Sequence, residues 1–242
     1  MEGDLNVLAT LPIWFLVFLF STTCHEASHA LVAKLGGDLT AYQGGHVSLD
    51  PLPHIRRSPM GMVVVPLLSF IYIFATRGTG WMLGWASVPL DPFWAARHPR
   101  RAALVSLAGP SANFLILIAA AIAIRVGIAT GHLGPPLHLA FDQVVVTGAG
   151  GNNALTVVLS ILFSLNLILA TFNLLPVPPL DGHGVVPLFL SPRLAARWHD
   201  LFREGMFAVI GLFVAWSLYG KIFSWVFFRA IGLLYAGVAT YS

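Results

Sequence analysis

The chain has 242 residues, 57% of them hydrophobic and 10% charged, with a net charge of +3 and a mean hydropathy of +0.81. A soluble domain carries about 25% charged residues, so the composition excludes an ordinary soluble enzyme. It predicts one polytopic integral-membrane domain spanning residues 1–242. Thirteen scattered cations do not form the basic stripe of a nucleic-acid binder, and a single cysteine, Cys24, excludes an intrachain disulfide framework.

A bilayer core needs about 20 apolar helical residues. The first qualifying run is Leu11 to Leu35. It is preceded by Glu2 and Asp4, where a cleavable signal peptide would carry lysine or arginine, so it reads as a retained span. Within it lies Thr23-Cys24-His25-Glu26-Ala27-Ser28-His29, an H-E-x-x-H pattern. Residues four apart share one helix face, so His25 and His29 can offer two nitrogens to one metal while Glu26 reaches the water that metal holds. The next run, Met60 to Thr76, is short and contains Pro66. It is predicted to be re-entrant, or to pair with Trp81 to Val88 as a hairpin. Further spans are predicted at Ala102 to Val126 and Leu155 to Leu175. The last, Met206 to Tyr241, is long enough for one tilted helix or two short passes. The core then covers about 11–187, and the fold is all-α with about five to six transmembrane helices.

Cation placement orients the chain. The first ten residues have no Lys or Arg; Lys34, Arg56, Arg57, Arg77, Arg97, Arg100 and Arg101 lie between the first and third spans. None lies from Val126 to Leu155, and Arg193, Arg197 and Arg203 follow the fourth. This pattern alternates only if Met60 to Thr76 does not cross once. It predicts an outside N-terminus and places His25, about 21 Å into its span at 1.5 Å per residue, in the cytoplasmic half of the bilayer.

Two histidines do not complete a catalytic zinc site, which takes three protein ligands and one open position. The fourth span ends at Pro176-Val177-Pro178-Pro179 on the same predicted side, and Asp181 follows it. Asp181 is the candidate third ligand, with a helix N-cap as its structural alternative.

Three motifs occur in this order on membrane spans: His25 to His29, Ala108-Gly109-Pro110-Ser111-Ala112-Asn113, and Asn173 to Gly182. Together they resemble the site-2 protease family of intramembrane zinc metalloproteases. Leu49 to Ile55 and Gly84 to Pro92 are similar to its compact prokaryotic branch without a PDZ domain. The resemblance implies one Zn2+ per chain held by His25, His29 and Asp181, Glu26 as the catalytic base, and roles near the substrate for Asn113 and Asn173. Asn113 could equally serve as an interhelical hydrogen-bonding residue. His54 is a candidate for the substrate access route.

The sequence departs from the family pattern at Arg56-Arg57, at His183 and at Ser87. The implied substrate is a transmembrane protein, in a prokaryotic cell (inner) membrane, with no nucleic acid involved; a homo-oligomer or an adaptor is compatible with it. The alternative is a non-proteolytic metal-binding membrane protein, either a zinc transporter or a silent chaperone-like relative. An edge strand at Gly45 to Leu52 is expected to hold the substrate extended.

Overall fold

The computed structural model describes residues 7–201 and 205–238. Glu2 and Asp4, which bear on the signal-peptide reading, and Tyr241, the predicted end of the last span, lie outside them. Among the described residues four helical stretches are long and apolar enough to cross a membrane: Val7–Gly36, Met60–Arg77, Pro99–Ala129 and Ala154–Asn173. A fifth, Val209–Gly220 with Ile222–Leu234, is bent by 49° at the Gly220-Lys221 break. The protein is the all-α polytopic type its composition predicts.

Helix α1 (Leu11–Gly36) ends where Gly37 adopts φ +100°, a left-handed conformation that glycine enters without steric cost. A helical turn, α2 (Thr40–Gln43), follows. The edge strand expected at Gly45 to Leu52 does not form. Gly45 turns the chain at φ +75°, and Asp50 caps a new helix, α3 (Pro51–Arg57), by accepting from the Leu52 amide at 2.9 Å. Proline in the first turn and an aspartate N-cap favour that helix over a strand.

The Met60–Val88 region is a hairpin with unlike arms. A π-helical turn (Met60–Val64) runs into α4 (Val65–Arg77), and residues 79–91 return without regular structure. The Trp85 amide donates to the Gly61 carbonyl at 3.1 Å, so the chain comes back to the level at which it left. Midway, the Leu83 amide is satisfied by Ser69 Oγ at 2.9 Å. Non-helical backbone at membrane depth needs such partners. A Cβ on Gly61 would lie 2.1 Å from the Trp85 carbonyl oxygen, which is why the arms can meet only at a glycine.

The return arm is tied to the end of α1 by Asp38, which is 3% exposed. Its carboxylate accepts from the Thr40 amide at 2.9 Å and the Asp91 amide at 2.8 Å. Burial works to raise the pKa of Asp38, but the hydrogen bonds from Thr40 and Asp91 outweigh it and hold the carboxyl below the ordinary carboxylate range. A depressed carboxylate stabilises the fold above its unfolded pKa, and the contribution is lost as pH falls through the folded value. Asp38→Asn puts an NH2 against one of those amides. It is expected to cost about 1–2 kcal/mol at pH 7, and the difference from wild type should narrow as pH falls through the folded pKa of Asp38. Thermal unfolding of the two detergent-solubilised proteins along a pH series from 7 downward measures this.

After α5 (Pro92–Arg97), the long α6 (Pro99–Ala129) forms the centre of the molecule and packs against α1 and α7 (Ala154–Asn173). A two-stranded ribbon, β1 (Leu133–Gly134) with β2 (Val146–Thr147), joins α6 to α7. Helix α7 opens on a capping box between Asn153 and Thr156. One apolar core joins Leu117 and Ile124 to Phe163, Phe227 and Tyr235; another joins Trp14 and Phe18 to Phe70, Met82 and Ile161. Beyond α7 come α8 (Asp181–Val185), a 3-10 turn (Val186–Phe189), α9 (Pro192–Leu201) and α10 (Gly205–Leu234), which contains the bent fifth span. Arg125 Nη1 closes the far end by donating to the carbonyls of Leu234 and Ala236 at 3.1 and 2.9 Å.

Candidate metal centre

The site is assembled by α1, α6 and the start of α8. Helix α1 places His25 and His29 one turn apart, with ring centroids 4.7 Å from each other, and both are buried. Asp181 reaches them from the far side of the fold. Its Oδ2 lies 3.0 Å from His25 Nε2 and its Oδ1 lies 3.3 Å from His29 Nε2. Two glycines bring it there. A Cβ on Gly182 would lie 2.2 Å from the Leu174 carbonyl oxygen, so the turn after α7 can fold back tightly. A Cβ on Gly184 would lie 2.2 Å from Ser106 Oγ, so α8 can press onto α6.

The second ring nitrogens decide the chemistry. His29 Nδ1 lies 2.6 Å from the Val105 carbonyl, which can only accept, so Nδ1 carries a proton and Nε2 is the nitrogen a metal would take when the ring is neutral. The same holds for His25 through a chain of side chains whose orientations are forced. Asn166 Nδ2 donates to the Leu162 carbonyl and to Ser21 Oγ, both at 2.9 Å, so its Oδ1 must face the other way. That oxygen accepts from Asn113 Nδ2 at 2.8 Å, and the same nitrogen also meets the Ser21 carbonyl at 3.3 Å. Asn113 Oδ1 is therefore turned to His25 Nδ1, at 2.5 Å, and accepts its proton. Ser21, Asn113 and Asn166 are all fully buried, and an unpaired polar group there would cost about 1–3 kcal/mol.

Two imidazole lone pairs and a carboxylate thus converge with their ligand atoms all within 4.8 Å of one another. The carboxylate is balanced there either by protons on the rings or by a metal ion bound between neutral rings. Ligand atoms about 2.0–2.2 Å from a tetrahedral zinc lie about 3.3–3.6 Å apart; the two histidine–carboxylate distances, 3.0 and 3.3 Å to different oxygens, bracket the lower end of that range, and the whole set lies within 4.8 Å. Room for the ion comes from Gly109 of α6: a Cβ there would lie 2.3 Å from His29 Nε2 and 2.4 Å from His25 Nε2. The residues present therefore fit a zinc ion.

Glu26 is buried beside His25 on α1. Asn173 does not join the cluster; its Nδ2 donates to Leu169 O at 2.9 Å within its own helix. His54 is fully buried, donates from Nε2 to Ser48 O at 3.1 Å, and packs against the His46 ring at 5.1 Å. His183 stacks on Trp198 at 5.2 Å. Sequence reasoning missed Ser21, Asn166 and the space-making role of Gly109. An asparagine in the middle of a largely apolar span was a usable signal for Asn166; Gly109 carried no signal beyond its place in a motif.

Two buried histidines of a membrane-length helix and Asp181 beside them form a cluster that could hold a metal ion, as a metal-dependent membrane enzyme requires. The model of peptidase family M50 matches residues 13–218. The chain is 31% identical over 208 residues to "Putative zinc metalloprotease YwhC" of Bacillus subtilis (strain 168), covering 86% of this chain and 82% of that one. It is 27% identical over 224 residues to "Putative zinc metalloprotease Rip2" of Mycolicibacterium smegmatis, covering 93% and 74%. Against the Rip2 of Mycobacterium tuberculosis (strain H37Rv) it is 30% identical over 210 residues, covering 87% and 70%. No solved structure matches the chain. The chain belongs to peptidase family M50, the site-2 protease family of zinc metalloproteases.

Proposed function

We propose that this protein is a single-domain intramembrane endopeptidase that hydrolyses peptide bonds of membrane-spanning proteins, with His25, His29 and Asp181 holding one zinc ion and Glu26 acting as general base. The observation that carries the reading is the convergence of the two Nε2 lone pairs and the Asp181 carboxylate at one buried point. Zinc bound there supplies a Lewis acid that polarises the scissile carbonyl and brings the pKa of the attacking water towards about 7.

The chain's own residues do the rest. Glu26 takes a proton from that water and returns it to the leaving amine. Asn113, held by Asn166 and Ser21, is a positioning residue: it fixes the ring and tautomer of His25, as the Val105 carbonyl does for His29. Both hydrogens of the Asn113 amide are committed to Ser21 and Asn166, which favours this role over that of an oxyanion donor. The Asp181 side chain is 23% exposed while those of His25 and His29 are 8% and 7%, so water and substrate enter from the Asp181 side. On the orientation read from the cations, that side lies in the cytoplasmic half of a prokaryotic cell membrane. A helical substrate must unwind to present its carbonyl, because its own hydrogen bonds shield it.

Asp181→Asn keeps the shape of the side chain but removes its charge. The variant is expected to purify folded, with zinc content far below one per chain, and to cleave no membrane substrate. Metal analysis of the purified protein checks this; full zinc occupancy in the variant would remove Asp181 from the ligand set.

A further inference from the structure

The first turn of α6 and the segment following α8 border an open-sided cavity of about 280 Å³. Residues 98–101 line one side of it and Pro187, Leu190 and Ala195 the other. No carboxylate is among the lining residues. Arg100 is exposed and makes no hydrogen bond among the described residues, while Arg101 spends only Nη1, on the Gly36 carbonyl at 3.1 Å. His98 is held against Trp94 by a stack at 5.5 Å and by donation from Nδ1 to the Trp94 carbonyl at 3.1 Å. Arg97 ends α5 just before the cavity, and Arg193 sits exposed on α9 beside Leu194 and Ala195.

Pro99 is also the first residue of a 31-residue membrane-spanning helix. The cavity therefore lies at one end of a helix longer than the hydrocarbon core, the level at which headgroups would flank it.

We propose that this cavity is a binding site for one anionic phospholipid, with Arg100 and Arg101 on the phosphate diester and Pro99, Pro187, Leu190 and Ala195 around the glycerol and upper acyl chain. Guanidinium groups match phosphate oxygens in a fork geometry, and basic pockets at the membrane surface take lipid headgroups. A soluble phosphate would gain nothing from the apolar wall, whereas acyl carbons gain by leaving water. The bound lipid would bridge α6 to the segment that follows α8, the short helix that begins at Asp181. Its effect on catalysis therefore rests on the proposed role of that residue, but its binding does not.

Native mass spectrometry of the full-length protein, delipidated and then incubated with phosphatidylglycerol or phosphatidylcholine of the same acyl chains, tests the site. One phosphatidylglycerol per chain is expected to be retained in preference to phosphatidylcholine. R100Q/R101Q should retain it about 30-fold less tightly, the loss expected for two interfacial basic residues. R56Q/R57Q, which removes the same charge elsewhere, should retain it as wild type does. Ala195→Trp, which fills the floor with every charge intact, should also weaken retention, with thermal unfolding reporting that the protein is folded. Equal losses in the two double variants, or equal retention of both lipids, would overturn the proposal in favour of a general surface attraction. Displacement by excess inorganic phosphate would overturn it in favour of a soluble anion.

Discussion

Glu26→Gln protein is expected to bind zinc like wild type and yet to cleave a membrane-spanning substrate at least about 100-fold more slowly. General acid–base catalysis contributes about 10²–10⁴-fold, and glutamine keeps the volume and hydrogen-bonding shape of Glu26 without its ability to take a proton. None of the three converging ligand atoms comes from Glu26, so the metal set stays intact. Purified wild-type and variant proteins, compared for zinc content and for cleavage of the same reconstituted substrate, give the two readouts. A variant that loses zinc would make Glu26 a structural part of the metal set. A variant that cleaves at the wild-type rate would remove it from the chemistry altogether. Paired with Asp181→Asn, the experiment separates holding the metal from moving the proton.

Gly109→Ala is expected to be the most damaging single-methyl change in the protein for zinc binding. The added carbon would sit 2.3–2.4 Å from both Nε2 atoms, in the space the metal needs. The substitution should not harm the helix itself, because alanine is about 1 kcal/mol better than glycine in a helix interior. The predicted outcome is therefore a folded protein in which overpacking against the two imidazoles, about 1–3 kcal/mol, offsets or exceeds the helix gain, with zinc content well below one per chain and no detectable proteolysis. Gly232→Ala, where an added Cβ meets nothing within 4 Å, is the matched control and should behave as wild type. Wild-type zinc affinity in Gly109→Ala would show that α6 can retreat from α1 at no cost and that the glycine has no part in shaping the site.

Several features of this site were legible without a structure because they are local. Spacing four on a helix puts His25 and His29 on one face whatever surrounds them. A run of prolines ends α7 for lack of amide donors, so Asp181 had to lie just beyond a span end. The cation bias required the Met60–Val88 region not to cross once, and the Gly61–Trp85 hydrogen bond meets that requirement with one helical arm and one extended arm. The edge strand expected at Gly45 to Leu52 failed for an equally local reason: Asp50 and Pro51 form a helix cap and first turn, which ends any extended run before Leu52.

What could not be read is the set of contacts between residues far apart in the chain. Asn166 matters because it is the fourth member of a relay from Ser21 through Asn113 to His25, crossing 145 positions of sequence. Gly109 matters because two imidazoles on another helix occupy the space where its side chain would be.

The sequence by itself determined that this is a polytopic membrane protein carrying a two-histidine, one-glutamate motif inside a span, with an aspartate waiting at the end of another. Hydrophobic length, helical periodicity and proline chemistry suffice for that, since each acts within about 20 residues of chain. Only the tertiary structure decided which nitrogen of each imidazole faces the carboxylate. Tautomer depends on what the opposite nitrogen meets, and those partners, Asn113 and the Val105 carbonyl, lie on a helix packed across from the motif.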